Sequence, residues 1–230
     1  KHTLFNVITP GAAVKDVDEV FADPAYRVFE DHFDTQAVQH CHIENPVSYA
    51  YMEAGRIVVV SSTQIPHIVR RVIGQALGIG WGNIRVIKPY IGGGFGNKQE
   101  VLYEPLNAWI TTQVGGRPVK LECTREETFQ NTRSRHPIHF DLKAAVGPDM
   151  RLMARECRAV SNQGGYASHG HAIVANAVTG FRQTYPDVLA HRSEAWTVYT
   201  NLGSTGAMRG YGIPQCNFAG ECMMDDIARE

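Results

Sequence analysis

Two stretches constrain this chain more than any others: Gly92-Gly93-Gly94-Phe95-Gly96-Asn97-Lys98-Gln99 and Ala207-Met208-Arg209-Gly210-Tyr211-Gly212-Ile213-Pro214-Gln215. Each sets glycines around one aromatic residue and one or two polar side chains. Glycine reaches positive φ and lets a ligand or a second backbone segment approach closely. Two such loops in one chain point to a bound cofactor contacted largely by main chain. The first loop follows an expected strand and precedes an expected helix, where backbone N–H groups and the helix dipole favour an anion. It matches neither the dinucleotide fingerprint, since position 97 is Asn, nor the P-loop, since Lys98 lies between Asn97 and Gln99. On spacing alone it reads equally as an anion cradle and as a tight strand–helix turn.

The rest of the pattern gives strands over 26–33, 84–90, 118–123, 138–146, 152–162 and 196–199, and a hairpin of 47–52 and 56–61 around Glu53-Ala54-Gly55. Apolar spacing predicts helices over 65–77, 100–114 and 216–228, with a short helix or loop over 172–179. This order predicts mixed α+β layers rather than a strictly alternating parallel fold. Residues 1–23 read as a linker from a preceding domain, and 24–230 as one domain divisible into 24–145 and 146–230. The start lacks a signal peptide and an initiator Met, and the end falls inside a helical pattern, so the chain reads as a piece of a longer protein. With 43% hydrophobic residues the chain can bury a core of normal size. A net charge of −1 gives no footprint for nucleic acid, and no apolar run approaches the ~20 residues that span a bilayer. The five cysteines are odd in number and show no CxxC. Free thiols in a cytoplasmic setting are therefore expected, with no iron–sulfur cluster inside this chain.

His40/His42 and His169/His171 are each two apart, which on a strand would put each pair on one face, as the start of a zinc site. No third and fourth ligand at a telling spacing accompanies either pair. Hydrogen bonding beside a pocket is the expected role, and Glu44 reads as a structural carboxylate rather than a general base. No local signature supports a Ser-His-Asp or Cys-His arrangement.

Taken together, several blocks resemble the molybdenum-binding subunit of the xanthine dehydrogenase/xanthine oxidase family, the molybdenum hydroxylases. They are Val60-Ser61-Ser62-Thr63-Gln64-Ile65-Pro66-His67, the first glycine loop, Tyr166-Ala167-Ser168-His169-Gly170-His171, and Thr200-Asn201-Leu202 leading into the second loop. The likeness runs from about residue 24 to the end and is greatest to bacterial xanthine dehydrogenase large subunits. It implies an α+β, mixed-sheet molybdopterin-binding domain forming the first half of a two-domain cofactor site. It further implies an oxidoreductase that hydroxylates an electron-poor carbon of a purine or related N-heterocycle. Water supplies the oxygen, and electrons leave through 2Fe-2S clusters to FAD on partner domains or subunits. By resemblance, cofactor contacts fall on Gln64, Gly94, Phe95, Gly96, Ala207, Met208 and Arg209, with Gln64, Phe95 and Arg209 nearest the metal without ligating it. Tyr211 would pack on the substrate ring, and Gln99 and Asn176 would face the substrate.

Three departures accompany the likeness. The family's glutamate base lies beyond the second glycine loop, past the end of this chain, so no catalytic base is expected here and the chain alone is expected to be inactive and free of cofactor. Gln99 stands where animal xanthine oxidases carry a substrate-binding glutamate, and an amide donates as well as accepts. No arginine lies between Ala172 and Thr179, where Asn176 is the only side-chain amide. Two readings remain beside a purine oxidase: a split-subunit, nicotinate-type dehydrogenase, and a degenerate homologue that keeps the fold without the cofactor. Relatives of carbon monoxide dehydrogenase carry a cysteine after the matching arginine, whereas here Gly210 follows Arg209.

Overall fold

The computed structural model describes residues 2–3 and 16–230. In chain order the elements are β1 (His2–Thr3), α1 (Val17–Ala22), β2 (Arg27–Asp34), β3 (Val47–Glu53), β4 (Arg56–Ser61), α2 (Pro66–Leu77), β5 (Ile84–Ile87), α3 (Glu104–Gln113), β6 (Val119–Glu122), α4 (Arg125–Asn131), β7 (Ile138–Val146), β8 (Leu152–Gly164), α5 (Gly170–Thr184), β9 (Ala190–Tyr199) and α6 (Ile213–Arg229). They form two compact units, one of Lys1–Val38, Arg135–Gly206 and Gly210–Glu230, the other of Gln39–Ser134 and Ala207–Arg209. This interleaving differs from the sequential division at 145/146. Its cause is strand pairing: β2 runs antiparallel to β7 from Arg27↔Val146 to Asp34↔His139, so the chain must return to the first unit after 134.

The first unit holds the sheet β1-β9-β8-β7-β2. β8 and β9 are parallel, which requires a crossover, and α5 supplies it. Phe140, Leu142, Ala159 and Ala195 of the sheet bury against Val174, Val178 and Phe181 of α5 and Cys216, Ala219 and Met223 of α6. Val20 of α1 packs with Ala145, Ala154 and Ala190. Of the stretch expected to be linker, residues 1 and 4–15 lie outside the described residues. Its far end is instead a helix, capped by Asp16 accepting from the Asp18 N–H, whose Val20 belongs to this core.

The second unit holds the sheet β5-β4-β3-β6, with β4 and β5 parallel across α2 and the other pairs antiparallel. Ala50, Ile57, Val59, Val69, Ile73, Ile84 and Ala108 form its core. α2 ends where Gly78 turns to φ 66°. α3 begins at Glu104 rather than 100, because the Glu104 carboxylate already accepts from the Leu102 N–H and the Ser61 hydroxyl, holding the preceding residues out of the helix. No helix among the described residues is long and apolar enough to cross a membrane. The cysteines Cys41, Cys123, Cys157, Cys216 and Cys222 are free.

The β3–β4 hairpin closes with Glu53 opposite Arg56, leaving a two-residue turn whose φ values are 47° at Ala54 and 75° at Gly55. Both are positive, as a type I′ turn requires, and alanine is strained there. Ala54→Gly is expected to stabilise the second unit by about 1 kcal/mol, seen as a higher midpoint in denaturant at unchanged slope.

Candidate functional site

The first glycine loop lies in the second unit, after β5. Gly93, Phe95 and Gly96 have φ of 96°, 51° and 108°. Contact crowds its glycines, a Cβ on Gly92 meeting Glu44 Cβ at 2.6 Å. A Cβ on Gly94 would lie 2.5 Å from Gln64 Oε1, and one on Gly96 would lie 2.4 Å from the Ala207 carbonyl oxygen. The Gly96 N–H donates to Gln64 Oε1 at 2.9 Å, and the Gln64 N–H donates to the Lys98 carbonyl at 2.8 Å. The backbone donor fixes which end of the Gln64 amide is oxygen. Its Nε2 is then the outward end, and it donates to nothing among the described residues.

Residues 207–209 close against the same loop. The Arg209 N–H donates to the Phe95 carbonyl at 2.8 Å, and His40 Nε2 bonds the Ala207 carbonyl at 2.7 Å. All seven cofactor residues expected by resemblance therefore share this unit. Gln64, Gly94, Phe95, Gly96, Ala207 and Arg209 are linked directly, and the Met208 Cα lies within 3.0 Å of where a Gly96 Cβ would stand. Phe95 exposes its ring, and Gln99 is half-buried at the end of the 3-10 turn Asn97–Gln99, its side chain making no hydrogen bond among the described residues.

A charged tie stiffens the loop from behind. The Lys98 side chain is 1% exposed, and its Nζ donates to Glu44 Oε2 at 2.9 Å. The same carboxylate accepts from the Gly92 N–H. Burial pushes the Lys98 ammonium below its ordinary pKa, opposed by Glu44. Burial would raise the Glu44 carboxyl, but the hydrogen bonds from Lys98 and Gly92 hold it below its usual value. Glu44 is thus the structural carboxylate expected. Asn97, fully buried, faces His42 Nε2 at 3.0 Å and donates to Thr132 Oγ1 at 3.0 Å.

The second glycine loop continues in the first unit. Gly210, Tyr211 and Gly212 all have positive φ: 91°, 49° and 100°. A Cβ on Gly212 would lie 2.3 Å from the Ile173 carbonyl oxygen. The Tyr211 hydroxyl meets His169 Nδ1 at 2.7 Å, with the two rings edge to face, and the Tyr211 carbonyl accepts from Asn176 Nδ2 at 2.8 Å. One of the two Asn176 amide N–H donors therefore holds the aromatic residue's backbone in place.

Neither histidine pair lies on a strand. His40 and His42 sit in the irregular segment before β3, and His169 and His171 straddle the start of α5. The hydrogen-bonding role expected for them holds for His40, His42 and His169. Sequence reading missed two features: the clamp from His40 to Ala207 and the tie of Lys98 to Glu44. Neither leaves a local signal, because the partners are far apart in the chain.

The chain matches the molybdopterin cofactor-binding domain over residues 3–230. It is 50% identical over 207 residues to the xanthine dehydrogenase molybdenum-binding subunit of Escherichia coli O157:H7, covering 90% of this chain and 27% of that one. It is 33% identical over 217 residues to the nicotinate dehydrogenase large molybdopterin subunit of Eubacterium barkeri, covering 93% of this chain and 50% of that one. The crystal structure of the aldehyde oxidoreductase from Desulfovibrio desulfuricans superposes with a TM-score of 0.89 at 26% identity, over 98% of this chain and 25% of that one. The chain thus spans between a quarter and a half of the length of these relatives. With a match that runs almost from end to end, it belongs to the molybdopterin cofactor-binding domain family.

Proposed function

We propose that this chain supplies the first part of a molybdenum hydroxylase site that oxidises a purine or related N-heterocycle, and that residues 92–97 and 207–209 of the second unit hold the molybdopterin. The unshared Gln64 Nε2 carries the reading. The residues fit such a group: a neutral amide donor lies beside two glycines that leave no room for a side chain, and backbone suits a large anionic pterin. When bound, the cofactor supplies two-electron oxidation of an electron-poor carbon, with water as oxygen source.

In this reading Gln64 donates from Nε2 to an oxygen of the group, while its Oε1 anchors Gly96. Arg209, with Phe95 and Met208, lines the cofactor through main chain. Gln99, at the end of the first glycine loop, hydrogen-bonds the heterocycle. A second cofactor-binding domain supplies the glutamate base, and 2Fe-2S and FAD groups on further domains or subunits take the electrons. The free cysteines support a cytoplasmic setting. The xanthine- and nicotinate-dehydrogenase relatives support an N-heterocycle as substrate.

Molybdenum analysis of the intact protein tests the reading. The metal is expected at about one per complete subunit, and Gly96→Ala, which cannot keep φ 108° against the Ala207 carbonyl, is expected to lower its content at least about tenfold. Absence of molybdenum, or full retention in Gly96→Ala, sinks it. Gln99→Glu replaces a donor by an acceptor at the substrate. It is expected to change the ratio of kcat/KM among hypoxanthine, xanthine and nicotinate by at least about tenfold, with molybdenum content unaltered. Equal scaling on all three would remove Gln99 from the substrate contact.

A further inference from the structure

The edge of the first unit's sheet carries a second group of ligating side chains, independent of the cofactor loops. β2 reads His32-x-Asp34 and β7 reads His139-x-Asp141. The antiparallel register sets His32 opposite Asp141 and Asp34 opposite His139. Since side chains two apart share a face, all four stand on one side of the sheet at its edge, in a square with the histidines on one diagonal.

Within that square the contacts are not two separate ion pairs. His32 Nδ1 lies 2.6 Å from Asp141 Oδ1, and His139 Nε2 lies 3.0 Å from the same oxygen. The three ligating atoms of His32, His139 and Asp141 all fall within 4.8 Å of one another. The other nitrogen of His139, Nδ1, meets Asp34 Oδ1 at 2.8 Å. Simple cross-strand charge pairing would need only one imidazole per carboxylate. Two imidazole nitrogens meet one carboxylate oxygen, and another carboxylate orients the second histidine from behind, which leaves three ligand atoms close enough for one ion to share. A histidine ligand characteristically gives its remaining N–H to such a partner.

We propose that His32, His139 and Asp141 bind a divalent zinc-like cation, with Asp34 holding His139 in the ligating orientation and water completing the coordination. Bonds of about 2.0–2.1 Å in a tetrahedron separate neighbouring ligand atoms by about 3.3 Å. The observed spacings reach this by small rotations of exposed side chains, the three ligands being 73%, 42% and 36% exposed. Two imidazoles with one carboxylate suit zinc and its late first-row neighbours rather than calcium or magnesium, which take oxygen. Arg158 lies opposite Asp141 on β8, but its guanidinium is drawn over the Trp196 ring, 4.8 Å from the centroid. The bound ion would staple the edge strand β2 to β7 on the face opposite Phe29 and Phe33, which pack against the core.

The test uses the intact protein, stripped with a chelator and equilibrated with zinc chloride, zinc being counted per chain by mass spectrometry. The wild type is expected to take up one zinc that His32→Ala loses, with affinity lowered at least about tenfold, and that Asp34→Asn weakens by about tenfold. His139→Ala should match His32→Ala; should it fail to fold, the more exposed His32 decides the question alone. Zinc should raise the thermal midpoint of the wild type and leave that of His32→Ala unchanged. Uptake that is identical in wild type and His32→Ala, or no uptake, overturns the site.

Discussion

In the proposed site, Gln64→Glu is expected to lower kcat per bound molybdenum by about 100-fold or more on every heterocycle, about as much as Gln64→Ala. The two variants separate the two ends of one side chain. Glutamate keeps an oxygen for the Gly96 N–H and so keeps the glycine loop anchored. It loses the only N–H₂ the side chain offers, the end that no described residue accepts. Alanine loses both ends. Should Gln64 only brace the loop, Gln64→Glu would retain near-normal kcat and Gln64→Ala alone would fail, with molybdenum lost in proportion. A preorganised donor aimed at a changing charge acts on the chemical step rather than on binding, so kcat should fall while KM moves little. Single-turnover reduction at saturating substrate, normalised to molybdenum, reads this directly. A fall confined to one substrate would place Gln64 at the heterocycle instead.

What the sequence makes legible here follows the range of the forces. The hairpin at Ala54-Gly55, the stop of α2 at Gly78 and strand β7 are set by residues within a few positions of each other, and local reading places them closely. α5 extends over Gly170–Thr184, well beyond the expected 172–179. Its glycines and Thr184 are weak helix formers, and burial of Val174, Val178 and Phe181 against the sheet decides the matter. β9 begins at Ala190, not 196, because its parallel partner β8 continues the ladder back to Ala154↔Ala190. α4 did carry a local sign, the Thr124-x-x-Glu127 capping box, which forms with both hydrogen bonds in place. At the candidate site, the glycines mark where backbone must come close, and Gly94 and Gly96 are fixed by Gln64 and Ala207. Which backbone approaches them is a long-range fact. Resemblance named these residues as cofactor contacts, and neither it nor spacing paired Gly94 with Gln64 or Gly96 with Ala207.

Glu44→Ala is expected to destabilise the second unit by about 3 kcal/mol, lowering the thermal midpoint by several degrees. The Lys98 side chain is 1% exposed and has Glu44 as its ion-pair partner. Removing the carboxylate strands a buried ammonium and also deprives the Gly92 N–H of its acceptor. Glu44 itself is 30% exposed, so water recovers part of the loss, and the lower end of the usual range applies. The pH dependence has a definite sign. Burial sets the folded pKa of Lys98 below its ordinary 10.5, so between the two values the unfolded chain binds more protons and stability rises with pH. Without Glu44, the two influences that raise this pKa disappear and the window opens toward neutrality. The deficit should be largest near neutral pH and shrink as pH climbs toward 10.5. It should also shrink in acid, where wild-type Glu44, whose carboxyl is held below its ordinary 4.5, takes up a proton and the pair is lost in both proteins. Lys98→Met in the Glu44→Ala background removes the stranded charge and is expected to restore most of the stability, because the cost lies in the unpaired partner rather than in the missing bond. Chemical denaturation of the four members of this cycle, at pH 7 and pH 9.5, measures it. Simple additivity of the two substitutions, or a Glu44→Ala deficit that does not change with pH, would show that water already reaches Lys98 and that the tie contributes little to holding the glycine loop.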